Sequence, residues 1–307
     1  MSNSIRIRVP GTSANCGAGF DSLGLACSIY NDLELTLLEE ERLAIEITGE
    51  GAENIPRDGR NIVWKSVQYL LEKAEEKEHF RGAVIRMENN VPLSRGLGSS
   101  ATAIVSGLKA ANVILGSPFN RQKLLQFATK IEGHPDNVAP ALFGGFTVST
   151  SSSARVDCFS FMPKLRMKLV VAVPDFPLST RAARQVLPEK VTMKDAVYNI
   201  GRASMLVAAL SHGSEQYVRG AFGDALHQPY RAKLIPGMFD VFRAARQAGA
   251  MGASLSGAGP CLIAYVSQRR HAEEAVGKAM QEAFQKHAVT AKILTLDLDT
   301  RGAHVVR

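Results

Sequence analysis

The chain has 307 residues, 46% hydrophobic and 21% charged, a composition that excludes a disordered or fibrous protein and suggests one large or two ordinary domains. The net charge of +7, from 36 Lys+Arg against 29 Asp+Glu, is scattered over separate segments such as Arg166/Lys168, Arg181/Arg184, Arg243/Arg246 and Arg269/Arg270, and aromatics are only 7%, which argues against a nucleic-acid partner. Cys16, Cys27, Cys158 and Cys261 are too far apart for a zinc ribbon or disulfide scaffold; with no bilayer-length apolar run and no signal-peptide pattern, a cytoplasmic protein without a membrane partner is expected.

In chain order, Ile5, Ile7 and Val9 alternate with Arg6 and Arg8, and the same period of two recurs over 33–37 and 43–47, so three half-buried strands are expected. Helical spacing follows at Ile62, Val63, Val67, Leu70, Leu71 and Ala74, then a strand over 83–87. After a glycine-rich loop, 99–115 reads as an apolar helix ended by the turn Gly116-Ser117-Pro118, and Asn120 can cap a helix over 121–132. The serine run 150–153 is the linker candidate, and a break near 160 divides the chain into halves, 1–160 and 161–307. The second half reads as a strand over 168–173, helices near 193–212, 214–222 and 236–248, a strand over 261–266, a helix near 270–287 and a strand over 291–298. Without a regular βαβ rhythm or an internal repeat, α+β is favoured over a doubly wound sheet.

The sharpest motif is the run from Val91 through Pro92, Leu93, Ser94, Arg95, Gly96, Leu97, Gly98, Ser99, Ser100 and Ala101 to Thr102, set between a strand and a helix. Gly96 and Gly98 permit conformations that a Cβ obstructs, and Ser99 and Ser100 stand where free N–H groups and the positive dipole end attract an anion. The run reads as a phosphate cradle; the plainer alternative is a tight turn with a serine cap. A P-loop would need Gly-Lys-Ser/Thr, which is absent, and a Rossmann unit would need a strand after the helix where a second helix is expected. On the cradle reading, Gly98→Val is expected to block nucleotide binding while leaving the fold largely intact.

The segment from Pro92 to Ala101, with its Gly-Leu-Gly-Ser-Ser-Ala core, resembles the ATP-binding signature of the GHMP kinases. Two further matches follow the family's order: Pro10–Gly24, containing Ala14-Asn15, Gly17 and Gly19-Phe20-Asp21, and Gly252–Pro260. Within the superfamily the chain is similar to the homoserine kinases, through Glu132–Gly145, Ser179–Arg184 with Leu187-Pro188, and Pro229–Arg231; Cys16 and Ala18 depart from the commoner Leu and Pro of the first motif.

The resemblance implies a two-domain α+β architecture with an N-terminal half like ribosomal protein S5 domain 2 and a ferredoxin-like C-terminal half. It implies ATP as phosphoryl donor, L-homoserine as acceptor in threonine biosynthesis, and Mg²⁺; a homodimer is compatible with it. By resemblance the whole run Pro92–Thr102 binds ATP, Ser100 and Glu132 hold Mg²⁺, and Asn15 orients the acceptor hydroxyl, so Asn15, Ser100 and Glu132 form the catalytic set. Asp21 takes the substrate ammonium, Arg184 and Arg231 its carboxylate, and Thr180 supplies a hydroxyl; His134, Asp136, Asn137 and Gly257 line the same pocket. Asn61, Ile62, Val63 and Lys65 form part of the adenine pocket. On the residues alone, Glu132 reads as a solvated carboxylate at a helix end, His134 as a structural histidine, Asn137 as a loop brace and each arginine as surface. The resemblance implies no side-chain base, leaving the γ-phosphate to accept the proton. Other GHMP kinases acting on mevalonate-type or sugar-type alcohols, or a non-catalytic ligand sensor of the same fold, are the competing readings.

Overall fold

The computed structural model describes residues 3–152 and 155–306. Eleven strands and ten α-helices of these residues build two sheets and the helices that cover them. The first sheet holds β1 (Ser4–Ala14), β2 (Leu23–Leu38), β3 (Leu43–Gly49), β4 (Gly82–Asn89), β5 (Phe146–Ser151), β6 (Val156–Phe161) and, from the far end of the chain, β11 (His304–Val305). Its main path runs β11-β1-β2-β4-β3, with β3 parallel to β4 and the other pairs antiparallel. Besides β1, the 16-residue β2 serves two further partners: Leu23–Leu25 pair with β5, and Asp32–Leu38 pair with β4.

The apolar alternation of the first strands faces α1 (Ile62–Lys73), α2 (Ser99–Ile114), α3 (Arg121–Glu132) and α4 (Pro135–Phe143). Leu33, Leu35 and Leu37 from β2 and Ile45 and Ile47 from β3 share one core with Val67, Leu70, Ile104, Leu108, Leu124 and Val138. Asn120 caps α3 as expected, its Oδ1 accepting from Lys123 N at 2.9 Å, and Asn61, expected in the adenine pocket, instead caps α1, its Oδ1 accepting from Val63 N at 2.9 Å.

The second sheet is antiparallel, β7 (Met167–Pro174), β8 (Gly252–Leu255), β9 (Leu262–Ser267) and β10 (Ala291–Leu296), in the order β10-β7-β9-β8. Numbered within this half the order is 4-1-3-2, with helices between its first and second and its third and fourth strands, the ferredoxin-like arrangement. The apolar run of β7 has no alternation because both faces are buried. Leu169, Val171 and Val173 face a core shared with Leu23, Leu25, Val91, Leu97 and Phe146 of the first sheet's side, whereas Val170 and Ala172 face α9 (Met238–Gln247) and α10 (Glu273–Gln285). Between β7 and α9 come α5 (Thr180–Gln185), α6 (Met193–His212), α7 (Glu215–Val218) and α8 (Gln228–Arg231).

The structure corrects several expectations. Thr150 and Ser151 belong to β5 and Ser152 to the β5–β6 connection, so the serine run is a hairpin loop, not a linker; Ser153 lies outside the described residues. Polar Ser and Thr hide a hairpin whose apolar signals are Phe146 and Val148 on β5 and Val156, Cys158, Phe159 and Phe161 on β6. The helix expected over 214–222 is confined to Glu215–Val218, and α4, α5 and β8 were not anticipated. Proline at positions 135 and 140 discourages a helical reading, yet Pro135 occupies the first turn of α4, where its missing N–H costs nothing. None of the described helices is long and apolar enough to cross a membrane.

Candidate active site

Three glycine-bearing loops meet between the sheets: residues 15–22 after β1, 90–98 before α2, and 256–261 between β8 and β9. Gly257 N donates to Ala14 O at 3.2 Å, Cys261 N to Arg95 O at 3.0 Å and Thr12 N to Leu97 O at 2.9 Å. Ser256 Oγ bonds Ser13 Oγ at 2.8 Å and Gly96 O at 2.6 Å. A cleft of about 220 Å³ opens among them, completed by the end of α3, the start of α4, and α5 and α8.

The donor end of the cleft is the N-terminus of α2. Gly98, the N-cap, has φ +71° and no side chain to cap the helix, so the first-turn amides of Ser99, Ser100 and Ala101 have no intrahelical partner. Ser100 Oγ donates to Glu132 Oε2 at 2.8 Å across 32 residues. Burial pushes the Glu132 carboxyl above its ordinary range, the Ser100 bond only partly opposing this. A hydroxyl and a carboxylate beside free amides form a hard-oxygen donor set, which fits Mg²⁺ carried by a polyphosphate.

Within the motif run the structure divides the roles. Leu93, Ser94, Arg95, Gly96, Gly98, Ser99 and Ser100 line the cleft, whereas Pro92, Leu97, Ala101 and Thr102 do not. Leu97 and Ala101 are core residues, and Thr102 Oγ1 donates to Ser99 O and accepts from Asn31 Nδ2. The Arg95 guanidinium is turned to the carbonyls of Pro174 and Asp175, at 2.9 and 3.0 Å, where it ties the loop to β7. A Cβ on Gly98 would overlap Thr12 Oγ1, which donates to Asn137 Oδ1 at 2.8 Å. The expectation that a side chain there would fill phosphate space and spare the fold is therefore corrected: it points into the protein.

At the other end, Asn15, Asp21, His134, Asp136, Asn137, Thr180, Arg184, Arg231 and Gly257 all border the cleft. Asn15, Cys16 and Asp21 have φ of +70°, +44° and +54°, a cluster of left-handed non-glycine residues that marks the loop as functionally constrained. Asn15 is locked, its Nδ2 donating to Gly257 O at 2.9 Å and its Oδ1 accepting from Asp21 N at 3.0 Å. Arg184 makes a bidentate ion pair with Asp21. His134 Nδ1 lies 2.6 Å from Asp136 Oδ1; burial opposes its charge, but the Asp136 bond, reinforced by the Asp136 and Glu132 charges, raises its pKa.

Arg231 is 2% exposed, and its hydrogen-bond partners among the described residues are neutral: Nε donates to Ala183 O at 3.1 Å, Nη1 to Gly257 O at 3.0 Å, and Nη1 lies 3.4 Å from His227 Nδ1. Burial, then the charge of Arg184, lowers its pKa to about 10, so it remains cationic at neutral pH with no carboxylate in contact. Asp21, His134 and Asp136 could bring ligand atoms within 4.8 Å of one another, but Arg184 already holds Asp21 and the imidazole suits Mg²⁺ poorly.

Sequence reasoning missed Phe20, whose ring lies 5.6 Å from the Arg184 guanidinium carbon and 5.3 Å from that of Arg231, and His227, stacked on Phe20 at 5.2 Å. Phe20 was visible only as part of Gly-Phe-Asp, and His227 only as the neighbour of Gln228-Pro229. The expected adenine residues do not border this cleft. The Asn61 amide caps α1 and bonds Pro56 O, and Val63 is core.

The model of the GHMP kinases N terminal domain matches residues 61–145, and that of the GHMP kinases C terminal matches residues 206–286. The chain is 43% identical to a homoserine kinase of Carboxydothermus hydrogenoformans over 97% of this chain and 95% of that one, and 41% identical to one of Desulfitobacterium hafniense over 98% and 100%. Among solved structures it is similar to homoserine kinase from Cytophaga hutchinsonii, with TM-score 0.88, 32% identity and coverage of 100% and 98%. An L. major mevalonate kinase in complex with R-mevalonate has TM-score 0.74 at 15% identity, with 98% of each chain covered, and so shares the fold.

Proposed function

The chain belongs to the homoserine kinases of the GHMP kinase family, and from the residues in its cleft we propose how it transfers the γ-phosphoryl group of ATP to the side-chain hydroxyl of L-homoserine, the ATP:L-homoserine O-phosphotransferase reaction of threonine biosynthesis. One observation carries the mechanism: the Ser100–Glu132 contact at the uncapped start of α2 opens into the same cleft as Asp21, Arg184 and Arg231. A polyphosphate end and a zwitterion end thus face each other.

The first-turn amides of α2 hold the phosphates, and Ser100 and Glu132 would hold Mg²⁺. When bound, the ion neutralises charge developing on the transferred group. Asp21 receives the homoserine ammonium. Arg184 and Arg231 receive the carboxylate, with Thr180 beside them at the start of α5. Asn15, held at both ends of its amide, retains one N–H for the acceptor hydroxyl. His134, Asp136, Asn137 and Gly257 shape the wall.

No carboxylate of the cleft is poised as a general base. Asp21 is held by Arg184, Asp136 by His134 and Glu132 by Ser100. The raised pKa of His134 favours its protonated form. Proton transfer to the γ-phosphate itself suits this arrangement, because a loose transition state needs no early deprotonation.

We keep the proposed domain boundary near residue 160, at the end of β6, with β11 returning to the first sheet. The site of action is the cytoplasm. A coupled assay with homoserine, mevalonate, galactose and shikimate tests the assignment. Turnover of homoserine alone is expected; an inert homoserine beside an active rival would overturn it.

A further inference from the structure

His227 takes no part in the chemistry above, yet it is fully buried directly behind Arg231. Its Nε2 lies 2.8 Å from Gly17 O, which can only accept, so Nε2 carries the hydrogen. Its Nδ1 faces Arg231 Nη1, which can only donate, so Nδ1 is bare. The buried Asp224 Oδ2 also lies 3.5 Å from Nε2, and all three neighbours suit a hydrogen on Nε2 and none on Nδ1. Burial, with the Arg231 charge in support, lowers the His227 pKa against the pull of Asp224, in keeping with that assignment.

The surrounding frame is rigid. Asp224 accepts from the backbone N–H of Leu226, His227 and Gln228 at 3.0, 2.9 and 2.6 Å and from Asn199 Nδ2 at 2.7 Å, which fixes the turn that carries His227 into α8. On its open face the imidazole stacks on Phe20 with an interplanar angle of 24°, and Phe20 stands beside both cleft arginines. Arg231 therefore has a neutral acceptor behind it, carbonyls on two sides and an aromatic plate toward Arg184. A carboxylate in contact would neutralise the guanidinium before substrate arrived; a neutral nitrogen orients it and leaves the charge unmet.

We infer that His227 is a positioning residue for the reaction: as the neutral Nε2–H tautomer it holds the Arg231 guanidinium in register for the carboxylate of the amino-acid substrate, with Phe20 keeping the two cleft arginines apart. The inference rests on the proposed role of Arg231 toward that carboxylate.

Two variants and one spectrum test it. His227→Phe keeps the stack on Phe20 and removes both hydrogen bonds, so KM for homoserine should rise about tenfold while kcat and KM for ATP stay within a few-fold of wild type. His227→Gln carries an N–H for Gly17 O and an oxygen for Arg231, and should restore most of the lost affinity. In wild-type protein labelled with nitrogen-15 histidine, His227 should show the neutral Nε2–H tautomer at neutral pH, a readout independent of how any variant folds. An unchanged homoserine KM in His227→Phe, a matching rise in the KM for ATP, failure of His227→Gln to restore affinity, or an imidazolium or Nδ1–H signal at neutral pH would each overturn the inference. Wild-type protein inactive on homoserine would instead sink the substrate assignment, so the two readings fail separately.

Discussion

Asp21 and Arg184, 163 residues apart, close a bidentate ion pair across the cleft, with Arg184 Nη2 donating to Asp21 Oδ1 at 2.7 Å and Nη1 to Oδ2 at 3.0 Å. The proposed mechanism gives them opposite ends of the substrate. A zwitterion can exchange with this pair without leaving either charge unmet, its ammonium replacing Arg184 at Asp21 and its carboxylate replacing Asp21 at Arg184. A ligand bearing one charge must strand the other partner.

Both side chains are about one-third exposed, at 35% and 36%, so the pair itself contributes little to folding and its variants should fold. Asp21→Asn and Arg184→Leu should each raise KM for homoserine about 30-fold, the low end for truncating a charge-assisted contact, and leave KM for ATP unchanged. Steady-state kinetics check this; a homoserine KM near the wild-type value in either variant would remove that residue from the substrate site.

Arg231 is expected to read the carboxylate specifically. Wild-type protein should prefer homoserine to homoserine amide, which keeps the hydroxyl and ammonium but lacks the negative charge. In Arg231→Met that preference should shrink by about 30-fold or more, as the loss of a buried charged contact requires. Equal discrimination in both proteins would show that Arg231 serves only to brace Gly257 and Ala183.

Glu132→Gln preserves the shape and an acceptor for Ser100 but removes the metal-binding charge. A metal clamp supplies several kcal/mol to phosphoryl transfer, so kcat should fall about a hundredfold or more, with homoserine affinity little changed. The ligand-free variant should also melt higher at neutral pH. Burial raises the folded-state pKa of Glu132, so a neutral carboxyl favours the folded state at low pH and that advantage is lost as pH rises through the raised value. Gln keeps it at all pH. The gap in melting temperature should therefore narrow as the pH is lowered through the raised pKa; a gap that widens would contradict the burial argument.

Gly98→Ala should destabilise the fold as well as the nucleotide site. A left-handed residue costs about 1–2 kcal/mol without glycine, and overpacking against Thr12 Oγ1 adds about 1–3 kcal/mol. Gly133→Ala is the control, with φ +97° and no atom within 4 Å of the added Cβ. Denaturant unfolding should show the larger loss for Gly98→Ala, and equal losses would mean that the Thr12–Asn137 contact yields.

Much of this protein is written in local sequence. Alternation in β1–β3, the Asn120 cap, and the apolar face of α1 reflect backbone and solvent demands that act over a few residues. The phosphate end of the cleft is similarly local, because free amides at a helix start and left-handed glycines beside them are properties of a short stretch. Tertiary packing decided the rest. Arg95 belongs to the motif yet turns to β7 because the carbonyls of Pro174 and Asp175 arrive there from 79 and 80 residues away. The serine run is a hairpin because β2 offers β5 an open edge. The tautomer of His227, the unmet charge of Arg231 and the pairing of Asp21 with Arg184 depend on which groups meet after 210, 26 and 163 residues of intervening chain, and no local pattern encodes a hydrogen bond between partners that only folding brings within 3 Å.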